Sequence, residues 1–361
     1  MVNAFDIAMM RRALFHAARG AGRTTPNPMV GAVVVSPDGV IVGQGWHARA
    51  GEPHAEVHAL DDAGERARGA TIYVTLEPCC HVGRTGPCTE RIVAAGIGRV
   101  VAAMEDPDPR VRGQGFARLA AAGITVERDV ELAAAARLNQ AFVTVRTLER
   151  PLVIAKAATS LDACIAAGPG QRTSITSREA NRKTHVLRAT VDAVAVGSGT
   201  ALVDDPVLTA RECMRLRPLV RVVFDRRLRL LPTARLFTTL ESGPVIILTG
   251  PPGEVPVERV EALQSAGAVV VLVASLQEGL QALLRWDVST LLVEGGPTLH
   301  RSLYEAGLVD RLHLVVAPHV IGPSGIKWID TAVWSESSLI PVGVEPRGQD
   351  TWIEADVQRH R

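Results

Sequence analysis

The feature that most constrains this chain is an alternation. Short apolar, β-branched runs recur between stretches with helical spacing. The pattern breaks once, at a charged segment ending in proline, and then restarts. Val30–Val35 and Thr71–Leu76 read as buried strands, and Ser36-Pro-Asp-Gly39 is turn chemistry leading to a return strand at Val40–Val42. Asn3 with Asp6 three residues later signals a helix start. Met10, Leu14 and Ala17 then follow at helical spacing, and Gly20 closes the run. Further helices are expected after Pro53, over about Cys88–Ala95 and, as one long Ala-rich element, over about Glu131–Val145. Arg146-Thr-Leu-Glu-Arg-Pro151 is the break. Beyond it come strands at Pro151–Ala157, Ala193–Val196, Val220–Phe224, Val245–Leu248, Val269–Val273 and Leu291–Val293, with His313–Val316 as the last. A capping box, Thr176 with Glu179, opens a helix running to about Arg188. Strands alternating with helices mean a layered α/β fold. In 361 residues this gives two domains, expected at 1–146 and 147–361.

Composition narrows the function classes. Lys plus Arg is 39 and Asp plus Glu is 38, so there is no basic footprint for a polynucleotide. Aromatics are 4%, too few for a base-stacking platform. No apolar run approaches the roughly 18 residues of a membrane helix. No secretory leader is expected, because the first residues lack a basic region followed by an apolar stretch. The five cysteines are odd in number, and Cys79, Cys80 and Cys88 lie within ten residues of one another. That points to metal or catalysis in a cytoplasmic chain rather than to disulfides.

The chemistry-bearing residues form two constellations. His54-Ala-Glu56 stands near a helix start, and Pro78-Cys79 through Cys88 follows the next strand. One imidazole and two thiolates supply three ligands for zinc and leave a fourth position for water. Glu56, two residues from His54, is placed to move a proton between that water and a leaving amine. Helix starts near His54 and Cys88 favour thiolate and anionic character. A zincin pairing of His54 with His58 is disfavoured, because there the glutamate follows the first histidine directly. A closed structural zinc site would need a fourth protein ligand. Cys80 and His81 read as loop residues, with His81 a candidate substrate contact. The second constellation, Glu294-Gly-Gly-Pro-Thr298-Leu, follows a strand and opens a helix, a place where backbone N–H groups attract phosphate. It lacks the three-glycine dinucleotide fingerprint, and such turns are often glycine-rich for packing alone.

Thr25-Pro-Asn27-Pro-Met-Val30-Gly31, His54-Ala-Glu56 and Glu77-Pro78-Cys79 through Gly83-Arg-Thr85 and Cys88 resemble the deaminase half of the bifunctional riboflavin-biosynthesis deaminase/reductase family. The resemblance continues through Lys156, Ser160-Leu-Asp162, Thr200-Ala-Leu-Val-Asp204-Asp-Pro206, Leu208-Thr-Ala-Arg211 and Glu294-Gly-Gly296. It implies a cytidine-deaminase-like α/β/α layered domain followed by a dihydrofolate-reductase-like α/β domain. The implied reactions are deamination of a diaminohydroxy-ribosylaminopyrimidine phosphate, then NADPH-dependent reduction of its ribosyl group to ribityl. The implied ligands of Zn2+ are His54, Cys79 and Cys88, with Glu56 as proton shuttle and Asn27 reading the pyrimidine. In the second half it implies Arg188, Leu208, Arg211 and Glu294 at the substrate. Ala158, Thr200, Asp204 and the loop Gly295, Gly296, Pro297, Thr298, Leu299, His300 and Arg301 are implied at NADPH. It further implies a homo-oligomer acting on a small molecule. Four positions depart from the family. Ala163 replaces a usual glycine, Cys164 follows it in place of a basic residue, and Arg172 and Ser174 stand where a serine and a tryptophan are common. Lys156 and Asp162 are either functional or a plain strand-end charge pair, and Cys164 and Cys213 are expected as buried small residues.

Overall fold

The computed structural model describes residues 2–80, 86–329 and 338–358. The chain folds as two compact units that meet in sequence between Glu149 and Arg150.

The first unit is built on a five-stranded sheet of β1 (Gly31–Val35), β2 (Ile41–Trp46), β3 (Thr71–Val74), β4 (Arg99–Ala102) and β5 (Thr125–Glu127), in the order β2-β1-β3-β4-β5. β1 pairs antiparallel with β2 and β3, and β3, β4 and β5 run parallel. β1 is buried along its whole length, as an unbroken run of small apolar residues requires. Helices α1 (Ala4–Ala18), α2 (Ala55–Ala63), α3 (Cys88–Ala94), α4 (Gln114–Ala121), α5 (Leu132–Leu138) and α6 (Gln140–Leu148) complete the unit. The capping box at α1 forms as the sequence indicates, Asn3 Oδ1 accepting from Asp6 N at 3.0 Å and Asp6 Oδ2 from Asn3 N at 2.9 Å. Asp6 also accepts from Tyr73 Oη and Arg99 Nη1, both at 2.7 Å, and so pins α1 to β3 and β4. α2 lies very close to β2, because a Cβ on Gly45 would stand 2.5 Å from the Ala55 carbonyl oxygen. The single Ala-rich helix expected over Glu131–Val145 is in fact two, broken at Asn139. That side chain accepts from Met29 N at 2.8 Å and donates to Met29 O at 2.9 Å, a tertiary tie that propensity does not reveal.

The second unit carries nine strands in one sheet. They are β6 (Leu152–Ser160), β8 (Ala193–Gly197), β9 (Val220–Phe224), β10 (Val245–Thr249), β11 (Ala268–Leu272), β12 (Thr290–Val293), β13 (Arg311–Ala317), β15 (Ser338–Arg347) and β16 (Asp350–Gln358). A short pair, β7 (Cys164–Ala166) with β14 (Ile326–Lys327), stands apart. The order is β11-β10-β9-β8-β12-β6-β13-β16-β15, parallel from β11 to β13 and antiparallel thereafter. Helices α7 (Arg178–Thr190), α8 (Ser198–Asp204), α9 (Val257–Ser265), α10 (Leu276–Leu283) and α11 (Pro297–Glu305) connect the parallel strands. The cap of α7 is Ser177, which accepts from Ala180 N, and not Thr176; Thr176 bonds Asn181 instead. His313–Val316 is not the end of the sheet. β15 and β16 follow, and Pro341, Gly343 and Pro346 in β15 hide it from strand rules. A proline is tolerated there because β15 is an edge.

Candidate functional site

α2 begins at the metal-type cluster. His54 is its N-cap, and Glu56 lies in its first turn. Cys88 is the first residue of α3 and is fully buried. Cys79 lies on the segment between β3 and α3. His54 Nδ1 stands 3.2 Å from Cys88 Sγ and 3.6 Å from Cys79 Sγ, and the three ligand atoms fall within 4.8 Å of one another. Ligand atoms at 2.0–2.3 Å around a tetrahedral zinc stand roughly 3.5 Å apart, so this donor set fits the ion. Cys80 is outside the cluster, and His58 is exposed on α2 rather than packed beside the ligands. His81 and Gly83-Arg-Thr85 lie outside the described residues.

Glu56 is 3% exposed. Burial pushes its carboxyl up, and the neighbouring His54 opposes that. A buried carboxyl beside an open ligand position can hold a proton or release it. Asn27 is half-buried, and its Nδ2 lies 3.1 Å from His47 Nε2. His47 Nδ1 in turn stands 3.2 Å from Pro53 O, and its ring packs edge-on against His54 at 5.6 Å. This arrangement fits a neutral ring with Nδ1–H donating to Pro53 O and Nε2 accepting from Asn27, which leaves Asn27 Oδ1 as the free acceptor. The sequence reading missed His47, whose place depends on a loop fold that no local motif marks. It also missed Glu77. Its carboxylate accepts from the backbone N–H of Asp106, Gly113 and Gly115 at 3.1, 2.9 and 2.8 Å, and so fixes the segment that carries Cys79.

In the second unit a cavity of about 910 Å3 opens at the carboxyl ends of β8, β9, β10 and β12. That is where ligands bind in open parallel sheets. Thr200, Asp204, Gly296, Pro297, Thr298 and Leu299 line it. Gly296 has φ +78° and Pro297 opens α11. The first N–H groups of that helix lack intrahelical acceptors and form a phosphate cradle. A Cβ on Gly295 would stand 2.8 Å from Thr200 Oγ1, so only glycine lets the loop come this close. The lining fits a dinucleotide. His300 and Arg301 do not line the cavity, nor does Ala158. His300 is buried behind the loop, Nε2 3.1 Å from Val293 O and Nδ1 accepting from Trp328 Nε1 at 2.7 Å, and burial pulls its pKa down to about 4.

Arg188 and Glu294 form a two-pronged ion pair, Nε–Oε1 at 2.5 Å and Nη2–Oε2 at 2.7 Å. Arg188 Nη1 also donates to Thr209 O at 2.9 Å. Burial alone would raise the Glu294 carboxyl, but Arg188 and Lys156 outweigh it and keep the carboxylate ionised. Lys156 is buried beside this pair, and burial lowers its ammonium. It therefore does not pair with Asp162, which accepts from Ser160 Oγ and from Ile321 N and Gly322 N. Arg211 is exposed, with its guanidinium beside His185, and Leu208 is buried. Cys164 is buried, whereas Cys213 is half-buried with its thiol donating to His185 O.

Comparison with known proteins places both units. Residues 4–104 match the cytidine and deoxycytidylate deaminase zinc-binding region, and residues 151–351 match the RibD C-terminal domain. The riboflavin biosynthesis protein RibD of Aquifex aeolicus is 40% identical over 358 residues, covering 98% of this chain and 99% of that one. The Escherichia coli protein of the same name is 42% identical over 332 residues, covering 88% and 89%. Among solved structures, Acinetobacter baumannii RibD superposes with a TM-score of 0.88 at 35% identity, covering 98% and 99%. A Thermotoga maritima diaminohydroxyphosphoribosylaminopyrimidine deaminase/5-amino-6-(5-phosphoribosylamino)uracil reductase superposes at 0.84 and 33% identity, covering 98% of each chain.

Proposed function

Since the chain belongs to the RibD family of bifunctional deaminase/reductases in riboflavin biosynthesis, we propose a role for each residue at its two sites. The enzyme is a zinc-dependent deaminase and an NADPH-dependent reductase. His54, Cys79 and Cys88 hold the zinc, which brings the pKa of a water molecule from about 15.7 towards 7. Glu56 takes a proton from the water that adds to the amine-bearing ring carbon. It then returns that proton to the departing nitrogen, which leaves as ammonia. Asn27, its amide fixed by His47, accepts a hydrogen bond from the pyrimidine, and Glu77 holds the Cys79 segment in register.

In the second unit NADPH, when bound, would supply the hydride for reduction of the ribosyl group. Thr200, Asp204 and the loop from Gly295 to Leu299 bind it, the loop through backbone N–H groups. His300 supports that loop from behind. Glu294, kept ionised by Arg188 and Lys156, accepts hydrogen bonds from the sugar hydroxyls. Because Arg188 is committed to Glu294 and Thr209 O, Arg211 is the guanidinium left for the substrate phosphate.

No helix among the described residues is long and apolar enough to cross a membrane. Five free cysteines favour a reducing compartment, the cytoplasm. β15, which among the described residues is an edge of the sheet exposing Ile340 and Val344, supports assembly with a second copy of this chain.

The observation that carries the deaminase reading is His54 Nδ1 facing two thiol sulfurs with Glu56 buried beside them. Glu56→Gln should keep stoichiometric zinc by metal analysis while ammonia release falls about 10²–10⁴-fold. Wild-type turnover in that variant would end this mechanism.

A further inference from the structure

The cavity of the second unit has two ends with different chemistry. At one end the start of α11 offers backbone N–H groups and no basic side chain. The other end, at the carboxyl edge of β9, presents Arg226 and Arg229, which are the only Lys or Arg side chains among the described residues lining the cavity. A backbone cradle suits the singly charged phosphates of a pyrophosphate diester. A pair of guanidiniums suits a phosphate monoester, which carries close to two charges.

Both arginines are held loosely. Arg226 meets Glu254 at 3.5 Å, with both side chains exposed, a contact of little energetic consequence. Arg229 Nη2 donates to the Ser198 hydroxyl at 2.6 Å, a neutral partner on the turn between β8 and α8. Its nearest carboxylate oxygen, Asp225 Oδ1, is 4.0 Å away, too far for a hydrogen bond. Ser198 thus aims Arg229 at the cavity, with its Nε in only a long 4.0 Å ion pair to Asp225 Oδ1. α11 follows β12, and β12, β8 and β9 are neighbours in that order. Two strand spacings of roughly 10 Å separate the cradle from the arginines, the scale of one ribose phosphorylated at both its 5′ and 2′ positions.

We propose that Arg226 and Arg229 read the 2′-phosphate of the nicotinamide dinucleotide and so set the preference for NADPH over NADH. The proposal rests on the reductase reading of this unit. Its test is calorimetry on the full-length protein with adenosine 2′,5′-bisphosphate, adenosine 5′-monophosphate and NADPH as probes. The wild type should bind the bisphosphate about 10- to 100-fold more tightly than the monophosphate. The margin should shrink as salt rises, because the arginines are partly exposed. Arg226→Gln and Arg229→Gln should each cut that preference several-fold, and the double variant should bring it to about unity with the monophosphate affinity unchanged. If the double variant unfolds by circular dichroism, the two single variants decide the matter. Equal affinity of the wild type for the two adenosine phosphates, with NADPH still bound, would overturn this assignment alone. A preference that survives both substitutions would also overturn it. Failure of the wild type to bind NADPH at all would sink the reductase reading together with it.

Discussion

Ala163 holds a backbone conformation that suits glycine, with φ at +60° in the turn between β6 and β7. An L side chain in the left-handed region costs roughly 1–2 kcal/mol, partly offset by the greater freedom a glycine has when unfolded. Ala163→Gly should therefore raise stability by about 0.5–1 kcal/mol, read as a higher denaturant midpoint at constant slope. At this scale the first site was largely legible from sequence. His54, Glu56, Cys79 and Cys88 are spaced by the chemistry of one ion, and the structure brings them together. His47 and Glu77 were not legible. Their work is done through backbone carbonyls and amides of Pro53, Asp106, Gly113 and Gly115, and contacts of that kind leave no residue pattern. In the second site the family resemblance singled out Lys156, Arg188 and Glu294 but not their pairing. Nothing in the spacing of Lys156, Arg188 and Glu294 shows that the three share one buried cluster.

At the scale of elements, one carboxylate, Asp6, ties the start of α1 to both β3 and β4. The Arg99 guanidinium, with Tyr73 and the Asn3 amide, outweighs burial and holds the Asp6 carboxyl down at about 2, against an ordinary 3.8. A group with a depressed folded-state pKa adds stability above its unfolded value and loses it as pH falls. The Asp6 share, about 2 kcal/mol, should be present at neutral pH and vanish between pH 4 and pH 2. Asp6→Asn should lower the neutral-pH stability by a similar amount and flatten that acid limb in unfolding curves recorded against pH. A variant with an unchanged acid limb would show that Asp6 is not the group responsible. Element existence followed the apolar periodicity well in the central parallel strands β6, β8, β9, β10 and β12, which are mostly buried. It failed where tertiary contacts decide, at the Asn139 break and in the proline-bearing edge β15.

For the molecule as a whole, each unit has its own sheet and its own apolar core. The metal-type cluster belongs to the first and the dinucleotide cavity to the second. Removing zinc with a chelator should therefore abolish ammonia release, while reduction of the already deaminated intermediate by NADPH stays within about twofold. Following both products in one preparation, before and after zinc is restored, checks this. Parallel loss of both activities would mean that zinc supports the whole chain rather than one reaction. The layered α/β class and the division in two were readable from the restart of the alternation after Pro151. The antiparallel extension of the second sheet was not, because nothing in the pattern before Val316 announces it.

His54 and Glu56 flank one residue at the start of α2, and that helix is wedged against Gly45 with no room for a methyl group. Coordination and proton delivery are thus mounted on a common rigid bracket whose height above the sheet cannot be adjusted. A lineage or a laboratory selection adapting this catalyst to a different amine would have to leave the bracket alone. New specificity should accumulate instead in the flanking loop that carries Asn27, which reaches His54 only through the ring of His47.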